Sequence, residues 1–79
     1  MFKISVLDIK TASAVFQELV SAVVLPGEEG ELSILDFHQP IISCLKDGSI
    51  RIDNMPPIAI KSGIASMQDN ELVVLVEKK

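Results

Sequence analysis

Polar and apolar residues alternate one by one over much of this chain. Phe2, Ile4 and Val6 interleave with Lys3 and Ser5, so residues 2–8 read as a strand with one buried face. The same period of two recurs in Ser49-Ile50-Arg51-Ile52-Asp53 and in Ile58-Ala59-Ile60-Lys61. Shorter runs at 32–35, 41–45 and 64–67 are bounded by turn residues. Leu72-Val73-Val74-Leu75-Val76 is apolar on both faces and belongs in a central or doubly covered strand. Between these runs, Asp8-Ile9-Lys10-Thr11 turns out of the first strand. Pro40 holds 36–40 as a loop by keeping Gln39 extended. Lys46-Asp47-Gly48-Ser49 predicts a hairpin through its Asp-Gly pair. Asn54-Met55-Pro56-Pro57 forces a turn, Ser62-Gly63 breaks or bulges a strand, and Gln68-Asp69-Asn70-Glu71 predicts a further hairpin.

Residues 12–22 are ambiguous, because Val15, Phe16, Leu19 and Val20 fall at spacings a helix would also use. Their richness in Val and Ser and the lack of a capping box weigh toward extended chain. The expectation is two strands, 14–16 and 19–25, with a bend at Gln17-Glu18 and a short helix as the alternative. Turn signals then recur about every five to ten residues, which predicts an all-β fold. It is a small antiparallel β-sandwich or flattened barrel of about eight to ten short strands. A length of 79 residues makes this one domain, 1–79. With three Phe and no Trp or Tyr, the core must be aliphatic.

One stretch breaks the pattern. Val23-Val24-Leu25-Pro26-Gly27-Glu28-Glu29-Gly30-Glu31-Leu32-Ser33-Ile34-Leu35 sets two apolar runs around an acidic turn. Pro26 suits a strand end at Leu25, Gly27 and Gly30 admit positive φ, and a new strand begins near Leu32. Glu28, Glu29 and Glu31 cannot enter a core unpaired, so the tip faces water or a cationic partner.

A net charge of −4, with scattered cations, argues against nucleic acid and against adhesion to anionic lipid. No apolar run approaches the roughly 18–20 residues of a membrane span. The first residues lack the pattern of a secretory leader, which points to a reducing compartment. Cys44, the one cysteine, lies in an apolar run and is expected to be a buried, inert thiol.

Candidate chemistry is sparse. His38 is the one histidine, and Ser33, Ser43 and Cys44 near it sit on no nucleophile motif. His38 therefore reads as a loop or interface residue, and a small hydrolase survives only if it gathers partners in the fold. One Cys and one His cannot build a structural zinc site, and the glutamates lack the ligand spacing of a calcium loop. Gly27-x-x-Gly30 has no lysine and repels phosphate. The residues alone stop at a non-catalytic all-β domain, without metal or cofactor, that binds a protein.

The acidic stretch, followed by His38-x-Pro40, Lys46-x-Gly48-x-x-Arg51-Ile52, Gly63 and Gln68-Asp69-Asn70, resembles the N-terminal domain of the epsilon subunit of F-type ATP synthase, called delta in mitochondria. The segments are collinear over nearly the whole chain, and the acidic stretch is the most specific of them. The resemblance implies a ten-strand β-sandwich at the foot of the rotary central stalk, with no catalysis and no cofactor of its own. It implies partners in the gamma subunit and the membrane rotor ring of c subunits. Glu28, Glu29 and Glu31 would face the ring's polar loops, with Glu31 matching the family's ring-facing carboxylate. His38, and less directly Ser43, would face gamma. The location implied is peripheral, on the cytoplasmic side of a bacterial inner or plasma membrane, or its organelle equivalent. The family usually continues into a nucleotide-binding helical hairpin. This sequence stops at Lys79, so neither the hairpin nor ATP binding is expected of it.

Four positions depart from the family pattern. Asp36-Phe37 replaces a Pro-Gly, and Phe37 is expected to tuck under its loop. Glu18 stands where Gly is common, which bears on the early bend. Lys61-Ser62 stands where Ser-Gly is usual, and the 54–57 connection is short. The alternative function is a free-standing β-domain that binds another protein or a small ligand.

Overall fold

In the computed structural model, which describes residues 1–37 and 39–79, the alternating runs become strands. They are β1 (Phe2–Asp8), β2 (Ala14–Val20), β3 (Ala22–Gly27), β4 (Gly30–Leu35), β5 (Ile41–Leu45), β6 (Gly48–Ile52), β7 (Ile58–Gln68) and β8 (Glu71–Lys78). The all-β expectation holds. The sheet order is β2-β1-β8-β7-β5-β3-β4, with β6 joining β3 to β7. The sheet folds over on itself. One layer runs β2-β1-β8-β7-β5 and the other β7-β6-β3-β4, so β7 belongs to both. All eight strands described contribute to a single aliphatic core, which includes Phe2, Ile4, Val23, Leu25, Ile34, Ile50, Ile60, Met67 and Val74.

The fold turns on a crease in the long hairpin. Both β5 and β6 pair with β7, from Ile41↔Met67 to Leu45↔Gly63 and from Gly48↔Ile60 to Ile50↔Ile58. They are collinear segments on one edge of β7 and do not pair with each other. The hairpin expected at Lys46-Asp47-Gly48-Ser49 is therefore absent. Lys46 N–H instead donates to the Pro26 carbonyl at 2.9 Å, which pulls the chain toward β3. On β7 the register against β8 shifts between Ile60 and Ser62. That bulge reverses which side chains point inward: Ile60 before it, Ala65 and Met67 after it. Leu45 and Ile50 show the same reversal on the facing segments. Gly63 has no Cβ because one would lie 2.6 Å from the Leu75 carbonyl oxygen.

Other expectations shift for local reasons. β2 runs unbroken through Gln17-Glu18, and the chain breaks at Ser21 instead. There the Asp53 carboxylate accepts the amides of Ser21 and Ala22, at 2.8 Å for Ala22. Ser5, expected to face solvent, is buried because β1 is flanked by β2 and β8, and it pairs with Gln17 Nε2 at 3.3 Å. β1 and β8 run parallel, an exception to the antiparallel expectation. Continuous β2 and β7 bring the number of strands described below the ten that the resemblance implied.

Candidate functional site

The acidic stretch forms a tight hairpin. β3 continues through Pro26 to Gly27 and pairs with β4 from Ala22↔Leu35 to Gly27↔Gly30, leaving Glu28-Glu29 as a two-residue turn. Pro26 thus extends the strand where a strand end was expected. Its missing N–H costs no pairing that the sheet needs, and its carbonyl serves Lys46. The two glycines play different parts. Gly30 takes the positive φ, +131°, while a Cβ on Gly27 would lie 2.7 Å from the Gly30 carbonyl oxygen. The base of the tip is tied to β5 through Glu28 N–H, which donates to the Cys44 carbonyl at 3.1 Å.

Glu28, Glu29 and Glu31 are all exposed, as three close carboxylates require. The hairpin overhangs a shallow depression of about 440 Å³, shared with Ile42, Ser43 and Cys44 of β5. Ser43 is half-buried, and its hydroxyl turns to the Cys44 carbonyl at 3.4 Å, on the side of β5 that meets Gly27. The structure therefore places Ser43 beside the three glutamates. Cys44 is exposed, which corrects the expectation of a buried thiol. β5 alternates, so Leu45 points into the core while Ile42 and Cys44 point out, and Ile42 is 80% exposed.

Glu31 differs from its neighbours. Its Oε2 accepts from Arg51 Nη2 of β6 at 2.6 Å. The two side chains stand on strands that flank β3, Glu31 opposite Pro26 and Arg51 opposite Val24, so the ion pair bridges the outer face of that strand. The sequence held two signals for Arg51, its outward place in the 49–53 alternation and its place in the Lys46-x-Gly48-x-x-Arg51-Ile52 segment. Its partner follows only from knowing that β4 and β6 share β3.

The other end of β4 carries a second cluster. Asp36 binds the N-terminal ammonium through Oδ2 and the Asn70 amide through Oδ1, the latter at 3.2 Å. Asn70 also donates to the Met1 carbonyl at 3.2 Å, and its Oδ1 accepts from Phe37 N–H at 2.8 Å. The ammonium's hydrogen bond holds the Asp36 carboxyl below its ordinary value against an opposing pull from desolvation, and the Asn70 amide adds to the lowering. Phe37 is held with φ +57° and is 82% exposed, so it does not tuck under its loop. The hydrogen bond from Phe37 N–H to Asn70 Oδ1 holds that backbone, and the ring is left outward. His38 lies outside the described residues, so the role expected of it rests on sequence.

The sequence of residues 3–79 matches the family described as ATP synthase, Delta/Epsilon chain, beta-sandwich domain. An ATP synthase epsilon chain of Desulforamulus reducens is 36% identical over 81 residues, covering 98% of this chain and 61% of that protein. The epsilon chain of Campylobacter curvus is 42% identical over 67 residues, covering 80% of this chain and 52% of that one. The chain thus spans little more than half the length of these relatives. Two solved structures share the fold. A chain from the Tetrahymena thermophila mitochondrial ATP synthase central stalk and c-ring superposes with a TM-score of 0.80 at 14% identity, over 96% of this chain and 63% of that one. A chain from the Euglena gracilis mitochondrial ATP synthase gives 0.77 at 20% identity, over 96% and 51%. Matched from its first strand to its last, and built as the fold those relatives predict, this chain belongs to the ATP synthase delta/epsilon family as its β-sandwich domain.

Proposed function

We propose that this domain is a non-catalytic coupling element of an F-type ATP synthase rotor, seated between the gamma subunit and the membrane ring of c subunits. The observation that carries the reading is the acidic tip: three exposed carboxylates held out by a hairpin closed with a two-residue turn. Donors on the ring's polar loops would meet Glu28, Glu29 and Glu31 through charge-assisted hydrogen bonds. Gamma would be met through His38, as the resemblance implies, while Ser43 lies beside the acidic tip. The domain would sit peripherally on the cytoplasmic side of a bacterial membrane, or its organelle equivalent. It transmits rotation by being stiff, and ATP chemistry stays on other subunits.

The test is Glu31→Lys in the complete complex, with proton-driven ATP synthesis measured in membrane vesicles. The substitution breaks the exposed ion pair with Arg51, which costs the fold about 1 kcal/mol or less. Coupled synthesis is expected to fall several-fold while ATP hydrolysis by the detached catalytic head is unchanged. Synthesis at the starting rate would overturn the role of the tip.

A further inference from the structure

The ion pair across β3 is poorly explained as a source of stability. Arg51 and Glu31 keep 54% and 71% of their side-chain surface exposed, and pairs of that kind contribute little to folding. Geometry suggests a different use. A carboxylate has about four acceptor positions on its two oxygens, and Arg51 engages Oε2. Glu28 and Glu29 lie in the turn, whereas Glu31 rises from a paired strand position opposite Pro26. Arg51 rises from a paired position as well, opposite Val24. Both ends of the bridge are thus anchored in the sheet, and the long Glu31 side chain is restricted before any partner arrives. Pre-ordering a flexible side chain removes part of the entropy cost of binding.

We propose that Arg51 is a positioning residue for Glu31: it fixes the carboxylate in one orientation and leaves its remaining acceptor sites to a basic or amide donor on the partner surface. This rests on the reading of the tip as a ring contact. The partner's donor meets a directed acceptor, and Arg51 itself touches no partner group.

The experiment is a double-mutant cycle in the complete complex. Arg51→Gln, Glu31→Gln and the double variant are read by coupled ATP synthesis in vesicles, with Arg51→Lys as the conservative variant. Thermal unfolding of each assembled complex shows that the subunit stays folded. Arg51→Gln is expected to lower coupling about two- to fivefold. The double variant should be no worse than Glu31→Gln alone, and Arg51→Lys should recover part of the loss. Additive losses would assign Arg51 its own contact and overturn the proposal. So would a gain of coupling in Arg51→Gln, which would make the bridge a latch that withholds Glu31. If Glu31→Gln and Glu31→Lys both leave coupling untouched, the ring reading itself fails. If they lower it and Arg51→Gln does not, only the positioning role fails.

Discussion

Two hairpins in this domain close with two-residue turns and are built in opposite ways. At Glu28-Glu29 the turn is held by backbone alone: Gly27 against Gly30, and one amide reaching across to β5. Its side chains are left to solvent. At Asp69-Asn70 both turn residues have positive φ, 53° and 58°, the geometry of a tight hairpin turn that Asp and Asn tolerate. There the Asn70 side chain ties Met1, Asp36 and Phe37 together. The first turn presents charge. The second fastens neighbouring chain. A hairpin whose side chains are committed elsewhere must draw its rigidity from glycine and strand pairing.

The largest effect should come from crowding the first turn. Gly27→Ala sets a Cβ against the Gly30 carbonyl, and overpacking of this kind costs about 1–3 kcal/mol. Thermal unfolding should show a midpoint lower by several degrees. An unchanged midpoint would mean that the tip has slack and the contrast is false.

The second turn separates into backbone and side-chain parts. Asn70→Ala loses the hydrogen bonds and strains a positive φ, for a total of about 1–2 kcal/mol. Asn70→Gly removes the bonds but tolerates the backbone, so it should lie closer to wild type. Equal losses would assign the whole effect to the side chain.

The smallest effect is pH-dependent. Because the folded-state carboxyl of Asp36 is held below its ordinary value, its contribution is present above that value and is lost as pH falls through the folded one. The unfolding midpoints of wild type and Asp36→Asn should differ at neutral pH and converge in acid. A gap that persists at pH 2 would remove the carboxylate from the clamp.

The sequence made the fold class legible because period two is local: Phe2, Ile4 and Val6 need no partner strand to be read. The acidic tip was legible for the same reason, since charge density alone forces Glu28 and Glu29 outward. Features set by distant pairing were not. The chain breaks at Ser21 because Asp53 captures its amides from a remote turn. Cys44 is exposed because β5 lies with Leu45 inward, a register its apolar run does not reveal. The Asp47-Gly48 pair carries a hairpin signal, yet the chain does not reverse there and continues along β7 across the crease. Arg51 required the neighbours of β3 to be known.

The crease also sets how the domain would deform. Backbone passes from one layer to the other twice in the same place, once between β5 and β6 and once within β7. A lateral push at the hairpin tip travels through β3 into β6 and then along covalent chain into the opposite layer. Sliding one layer over the other would have to shear two peptide segments together with the aliphatic contacts, so the two layers resist moving independently.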